Sequence, residues 1–362
     1  MTTRVLHVVV AGEVGGAERM LIDLASGSDG HAIALFTPSE RLRALFIDAK
    51  LEIDDRGPVR EHAAATLARS LGPRDVAWLG ERIHRRGARI VHLHTFGSQV
   101  LGTRAARRAG VPVVRTEHST RVYDDPSCWP FSRWSLRRSD AVRCISKHVE
   151  AVATAKAPWA AAKMQVIPNG VDFARFEPRA PRAPSLRTRF VMVGRLEPRK
   201  GVDIALEALA EVPTAELVVV GEGESRATLE ARARALGLSS RARFVGYAED
   251  VRDAIADADV MLSSARKEGL GIALIEAMAL ARPVVALPVG GVPEVVAEGT
   301  GWLAESPTTA ALVVAMRAAC LDPTERARRG TAARTHVLGR FSMGTMIEAY
   351  DRTYASLENR TR

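Results

Sequence analysis

The segment Gly194-Arg195-Leu196-Glu197-Pro198-Arg199-Lys200-Gly201 sets two cations, Arg195 and Lys200, between an apolar run, Phe190–Val193, and a helix-patterned stretch carrying Ile204, Leu206 and Leu209. A strand ending in such a turn delivers its cations to the carboxyl edge of a parallel sheet, where open α/β sheets bind ligands. A planar guanidinium fork and a point-charge ammonium together suit a diphosphate. Further on, Lys267-Glu268-Gly269-Leu270-Gly271-Ile272-Ala273-Leu274-Ile275-Glu276-Ala277-Met278-Ala279 places two acids, Glu268 and Glu276, across a glycine-rich helix start. With a helix expected from about Leu270, the separation of the two acids is on the order of 12 Å at about 1.5 Å per residue. Amides near Gly269, Leu270 and Gly271 would then face an anion held between them. Leu274, Ile275 and Met278 make the helix apolar, which argues against Glu276 as a mere surface residue.

The first half holds a second glycine turn, Gly12-Glu13-Val14-Gly15-Gly16-Ala17-Glu18-Arg19, directly after an apolar run and ahead of Met20, Leu21 and Leu24. Gly15 and Gly16 would let amides approach a phosphate at a helix start, although a pair needed only for turn geometry fits equally. The spacing is not G-x-G-x-x-G, and the following strand lacks the acidic end of a dinucleotide site. His118 follows the run Val111–Thr116, and His92 and His94 share one strand face. The three invite a metal reading, yet no carboxylate accompanies them at ligand spacing, so no metal is expected. Tyr123, Trp129, Phe131 and Trp134 lie among Arg121, Arg133, Arg137 and Arg138. Such a segment can stack a sugar, sit at a lipid headgroup layer, or pack as an ordinary helix. No Ser/His/Asp or Cys/His nucleophile set is assignable.

The elements that must position these residues alternate short Val/Ile-rich runs with longer amphipathic stretches, the pattern of βα units on a parallel sheet. Strands are expected at Arg4–Ala11, His31–Thr37, Ile90–Leu93, Val111–Thr116, Ala141–Ile145 and Met164–Ile167. In the second half they are expected at Arg189–Gly194, Ala215–Val220, Ala242–Val245, Ala258–Leu262 and Pro283–Ala286. Between the sets, Phe176–Arg187 carries Pro178, Pro181 and Pro184 with little apolar periodicity, which is linker chemistry. The expected domains are therefore 1–177 and 178–341, followed by a helical segment, 342–362, able to pack back on the first domain. The fold class is α/β, with two Rossmann-like, doubly wound domains.

At 362 residues the chain exceeds what one core usually supports. Hydrophobic residues are 47% and charged residues 26%, which excludes a disordered or fibrous chain. Cys128, Cys144 and Cys320 form neither a disulfide framework nor a paired metal site, so a reducing cytoplasm is expected. No apolar run reaches about 18 residues. The formal charge is +9, and it is uneven: residues 1–180 carry 27 Lys+Arg against 19 Asp+Glu, and 181–362 carry 24 against 23. The basic first half suits an anionic partner, a membrane face included, or a solvated surface. Nucleic acid is not expected, because no RNA-binding aromatic motif, zinc-finger spacing or basic helix-turn-helix pattern is present.

Together, Gly15-Gly16-Ala17-Glu18, Thr116-Glu117-His118, Ile167-Pro168-Asn169-Gly170-Val171-Asp172, the Arg195/Lys200 turn, the two-glutamate segment and Gly290-Gly291-Val292-Pro293-Glu294 closely resemble the large retaining glycosyltransferase family 4. The resemblance covers nearly the whole chain and implies the GT-B architecture, two Rossmann-like domains facing across a cleft. It implies transfer of a sugar from a nucleoside-diphosphate sugar, a UDP-sugar first, to the hydroxyl of a sugar, lipid-linked or small-molecule acceptor, as in cell-envelope glycan or glycolipid synthesis. By the same resemblance Gly16 approaches the donor, Arg195 and Lys200 hold the diphosphate, Glu268 meets sugar hydroxyls, Glu276 binds the ribose and His118 contacts the donor sugar. It implies no cofactor and no metal. An epimerase or hydrolase on the same fold is the rival enzyme reading, and a basic nucleic-acid-binding α/β protein is the rival outside enzymes. The chain departs from the family pattern beside the first acid: Arg266 and Lys267 stand where an aromatic is usual, and Leu270 where a Phe is. The loop Ser263–Lys267 is one residue longer than the common form, and these departures bear on donor-sugar preference.

Overall fold

The computed structural model describes residues 3–12, 14–59, 68–180 and 185–361. Two compact units form: Met1–Gly170 with Met343–Arg362, and Val171–Ser342.

The first unit is built on a parallel sheet of β1 (Val5–Val10), β2 (His31–Phe36), β3 (Glu52–Asp55), β4 (Ile90–Leu93), β5 (Val113–Glu117), β6 (Ala141–Cys144) and β7 (Met164–Val166). Their spatial order is β3-β2-β1-β4-β5-β6-β7. Both faces are covered, which is why β1 and β2 read as unbroken buried runs and not as alternating strands. One face packs Leu6, Val8, Ala34 and Phe36 with Val76, Leu79 and Ile83 of helix Pro73–Arg86 and Leu101 of helix Phe96–Arg108. The other packs Val5, Ile90 and Val114 with Met20 and Leu24 of helix Gly16–Ser26. It also receives Met346, Tyr350 and Tyr354 of the terminal helix Met343–Thr361. Both tyrosine rings are fully buried, each a contribution on the order of 2–3 kcal/mol from apolar area alone.

The second unit repeats the plan with β8 (Thr188–Val193), β9 (Ala215–Val220), β10 (Ala242–Gly246), β11 (Val260–Ser263), β12 (Val284–Ala286) and β13 (Gly301–Leu303), in the order β10-β9-β8-β11-β12-β13. All pairings are parallel, with β8 flanked by β9 and β11.

Three details differ from the sequence-based expectation. The units divide at Gly170/Val171, before the expected 177/178 boundary. Val171 N–H donates to the Phe341 carbonyl at 2.8 Å and Arg334 Nη1 donates to the Phe176 carbonyl at 2.8 Å, so residues 171–176 are tied to the second unit. Of the expected linker, Pro181 and Pro184 lie outside the described residues. Edge strands β3 and β13 were not expected from sequence: Glu-Ile-Asp-Asp carries a single apolar residue, and Gly-Trp-Leu is too short to show a period. Finally, the glycine-rich helix begins at Ile272, two residues later than expected, because Gly271 at φ 98° caps it in the left-handed region. Only the stretch from Ile272 to Glu276 is helical, so the 12 Å reach estimated for a continuous helix does not describe the Glu268–Glu276 separation.

Candidate active site

In each sheet the strand order reverses direction at one place, between β1 and β4 in the first unit and between β8 and β11 in the second. The carboxyl ends of strands flanking such a reversal splay their loops apart and leave a crevice for ligands. In the second unit those two loops carry Arg195 and Lys200 after β8, and Glu268 after β11.

Lys200 Nζ and the Glu268 carboxylate meet at 2.5 Å, both side chains largely covered. Arg195 stands apart, 42% exposed, with Nη2 at 3.4 Å from Glu197 Oε1. Lys200 closes the short 3-10 turn Pro198–Lys200, and Gly201 follows at φ 65°, where an added Cβ would lie 1.9 Å from the Ser264 carbonyl. The two loops are laced together through backbone: Arg266 N–H donates to the Arg199 carbonyl at 2.8 Å, and Ser264 Oγ donates to the Gly201 carbonyl at 2.7 Å. The Arg266 guanidinium forks onto Asp203 at 2.8 and 2.6 Å and also donates to the Pro198 carbonyl at 2.8 Å. That fork holds the Asp203 carboxyl below its ordinary pKa. A third loop, after β12, presses Gly290 and Gly291 against Glu268 and Gly269, and Gly291 N–H donates to the Glu268 carbonyl at 3.1 Å.

Helix Ile272–Ala279 starts beside Glu268, its N-cap Gly271 lying against the Glu268 side chain; the Leu274 and Ile275 amides donate to the Gly271 carbonyl, and the amides of Ile272 and Ala273 open the first turn. Leu270 is buried as a packing residue, whereas Glu276 is partly exposed in the second turn. The structure thus brings Lys200, Glu268, Gly269, Gly271 and the helix start together, with Arg195 at their margin. The sequence carries no local signal for the Arg266–Asp203 fork, because its members lie 63 positions apart and only the packed loops make them neighbours.

In the first unit, Gly15 caps helix Gly16–Ser26, and its amide donates to Glu18 Oε2 at 2.9 Å. Glu18 therefore serves the turn, and the Gly15 amide is spent on it. His118 follows β5, whose other motif members are structural. Arg115 and Glu117 form a buried ion pair on one face, with Arg115 also donating to Ser132. On the opposite face, Thr116 Oγ1 bonds the Tyr350 hydroxyl at 2.9 Å and His92 Nε2 at 2.8 Å. His92 Nδ1 reaches the Tyr354 hydroxyl at 2.8 Å.

His92 is one of five histidines packed in a layer. His7 pairs with His94 at 2.9 Å and with His31 at 3.1 Å, and His94 reaches His118 at 3.4 Å. Burial depresses all five pKa values, to about 4 for His31 and His118 and well below the ordinary histidine value for His7, His92 and His94, so the rings are neutral. His7 and His31, which complete the layer, were missed in sequence because each reads as one polar residue in an apolar strand. Nitrogens of His7, His92 and His94 fall within 4.8 Å of one another, a spacing that could hold a metal ion. The named hydrogen bonds occupy these rings, and neither a carboxylate nor a thiol is among the three.

The aromatic segment divides. Tyr123 is buried against Trp129, with ring centroids 5.8 Å apart. Arg133, Arg137 and Arg138 are exposed on helix Trp129–Arg137 and its end, with Arg138 over Trp134 at 4.3 Å and Arg137 over the exposed Trp159 at 5.3 Å. A separate cavity of about 300 Å³, lined by Arg4, Glu52, Arg85 and Arg86 among others, sits at the amino-terminal edge of the first sheet, away from the loops described. Among the described residues, no helix is long and apolar enough to cross a membrane.

Comparison with known proteins agrees with this geometry. Residues 14–175 match the model of Glycosyltransferase Family 4, and residues 174–336 that of Glycosyl transferases group 1. A GDP-mannose-dependent monoacylated alpha-(1-6)-phosphatidylinositol monomannoside mannosyltransferase of Corynebacterium glutamicum is 29% identical over 92% of this chain and 93% of its own. The GDP-mannose-dependent alpha-(1-6)-phosphatidylinositol monomannoside mannosyltransferase of Mycolicibacterium smegmatis is 34% identical over 66% of this chain and 69% of its own. Among solved structures, Anabaena HepE in complex with UDP and glucose superimposes with a TM-score of 0.84 at 22% identity, covering 98% of this chain and all of that one. Two doubly wound units, each with one reversal of strand order, matched in turn by the two family models and by the mycobacterial relative, make this chain a member of the group 1 (family 4) glycosyltransferases of GT-B architecture.

Proposed function

We propose that the chain is a retaining, metal-independent hexosyltransferase that binds its nucleoside-diphosphate sugar at the β8/β11 reversal and passes the sugar to the hydroxyl of a glycolipid or related acceptor. The observation that carries this reading is the meeting of Lys200 and Glu268 at the start of helix Ile272–Ala279. The cation and amides there match a leaving diphosphate, and the carboxylate matches a sugar rich in hydroxyls. Arg195, Lys200 and the helix amides stabilise the charge that grows on the diphosphate as the C1–O bond breaks. Glu268 accepts from sugar hydroxyls, Glu276 from the ribose, and His118 supplies a further contact to the donor sugar. The acceptor oxygen attacks C1 from the face the diphosphate leaves, and the departing phosphate oxygen takes the acceptor proton, so no covalent enzyme intermediate is required.

The mannosyltransferase relatives favour GDP-mannose as donor, while the expectation of a UDP-sugar is kept by the likeness to a protein solved with UDP-glucose. A thermal-shift screen of GDP-mannose, UDP-glucose and other nucleotide sugars separates them, since a true donor raises the unfolding temperature by mass action. Product analysis with the selected donor then tests transfer. A glycosylated acceptor with the anomeric configuration of the donor supports the proposal. Free sugar or an epimerised nucleotide sugar, whatever acceptor is supplied, would replace it with the hydrolase or epimerase reading.

A further inference from the structure

His31, His7, His94 and His118 form a continuous row in which every link joins Nδ1 of one ring to Nε2 of the next: His31 Nδ1 to His7 Nε2 at 3.1 Å, His7 Nδ1 to His94 Nε2 at 2.9 Å, and His94 Nδ1 to His118 Nε2 at 3.4 Å. The row crosses one face of the first sheet, from the beginning of β2 through β1 to the loops after β4 and β5. At its far end His118 Nδ1 is buried and has no hydrogen-bond partner among the described residues.

A neutral imidazole carries one N–H, and each link holds one proton. Placing the proton in any link therefore places it in the next. Either all four rings are Nδ1–H, and His118 Nδ1 is a donor, or all four are Nε2–H, and it is an acceptor. Passing from the Nδ1–H row to the Nε2–H row requires one proton to leave His118 Nδ1 and one to enter at His31 Nε2, and the opposite change the reverse, so no ring changes its tautomer alone. Burial of His7, His31 and His94 keeps the rings from escaping this constraint by taking up a second proton.

We propose that His31, His7 and His94 are positioning residues that act as one unit to set whether His118 Nδ1 presents a proton or a lone pair to a bound ligand. The proposal rests on the reading that His118 meets the donor sugar, whose hydroxyls can answer either polarity, whereas a phosphate oxygen answers only a donor.

Long-range 1H–15N correlation spectra of the full chain, labelled in histidine, report each ring's tautomer directly. In the protein alone the four rings are expected to share one tautomer; a mixed set overturns the proposal. When GDP-mannose or UDP-glucose is added as probe, any change in the His118 tautomer is expected in the other three as well, and a switch confined to His118 overturns the coupling. Silence of His118 towards both donors removes its assignment as a donor contact instead, and the spectrum of the protein alone still decides the coupling. His7→Phe cuts the row two rings from His118, and His118 should then populate both tautomers; retention of one tautomer in that variant counts against the proposal. If His7→Phe does not fold, the wild-type spectrum stands as the test. Stoichiometric zinc in the purified protein, released together with a change in the His7 and His94 signals, also overturns it, since a metal-bound nitrogen cannot carry a link.

Discussion

Lys200 and Arg195 differ in ways that follow from their surroundings. Lys200 is held by Glu268 in a largely covered pair, whereas Arg195 reaches outward from the turn after β8. Both are assigned to the diphosphate, so Arg195→Ala and Lys200→Ala should each lower kcat by roughly 10²–10³, the range for removing one preorganised charge contact. The acids should separate. Glu276→Ala is expected to weaken binding of the bare nucleoside diphosphate, because a ribose hydroxyl loses its acceptor, while Glu268→Ala spares that binding and damages transfer. Calorimetry with GDP and UDP, followed by steady-state transfer assays, checks both; the opposite division between the two acids would falsify their placement.

At the scale of elements, the loops of the second unit are positioned by backbone contact more than by side chains. Gly201 and Gly290, both at positive φ, sit where a Cβ would come within 1.9 Å and 1.8 Å of the Ser264 and Glu268 carbonyls. The glycines are therefore what lets three strand-end loops close on one place, and their role in the sequence is legible only as punctuation. In the first unit the comparable device is the histidine layer under the terminal helix, closed by Tyr350 and Tyr354. Its five rings are neutral when folded and free to protonate when unfolded, near pH 6.5. Their folded pKa values are depressed, so the unfolded chain binds more protons as pH falls. The stability they contribute is complete above about pH 6.5 and is lost progressively as pH falls below it, towards about pH 4 for His31 and His118, each ring steepening the slope by up to about 1.4 kcal/mol per pH unit. Thermal melts from pH 8 to pH 4.5 should show the midpoint falling below pH 6.5, ahead of carboxylate titration. A flat midpoint down to pH 4.5 is inconsistent with a neutral, buried layer.

For the whole molecule, charge is divided by unit. The terminal helix segment, 343–362, carries three Lys+Arg and three Asp+Glu, so assigning it to the first unit leaves that unit's excess unchanged. Arg133, Arg137, Arg138 and the exposed Trp159 gather on one part of its surface, beside Trp134. Cations near an anionic bilayer contribute about 1 kcal/mol each, and interfacial tryptophan adds to this. The expected outcome is co-sedimentation with anionic vesicles at low salt, lost at high salt and absent with neutral vesicles, and reduced in an Arg133→Ala, Arg137→Ala, Arg138→Ala variant. Recovery in the supernatant under every condition would mean that the acceptor is met in solution.

The sequence by itself determined the βα alternation, the two-domain plan and the strand-end location of Arg195, Lys200 and Glu268. Each of these follows from local periodicity and from turns whose glycines and prolines are adjacent in the chain. Edge strand β3 escaped because its pairing, not its composition, makes Glu-Ile-Asp-Asp extended. Only the tertiary structure decided which distant residues meet: Arg266 with Asp203, Glu268 with Gly290, and His92 with Tyr354, whose side chains meet at 2.8 Å although 262 positions apart in the chain. The histidine row is the clearest case. Parallel register sets His7 beside His92, and strand alternation turns His92 and His94 to one face. The hydrogen bonds that couple His31, His7, His94 and His118 exist because several non-consecutive strands lie side by side, and that adjacency is a property of the fold.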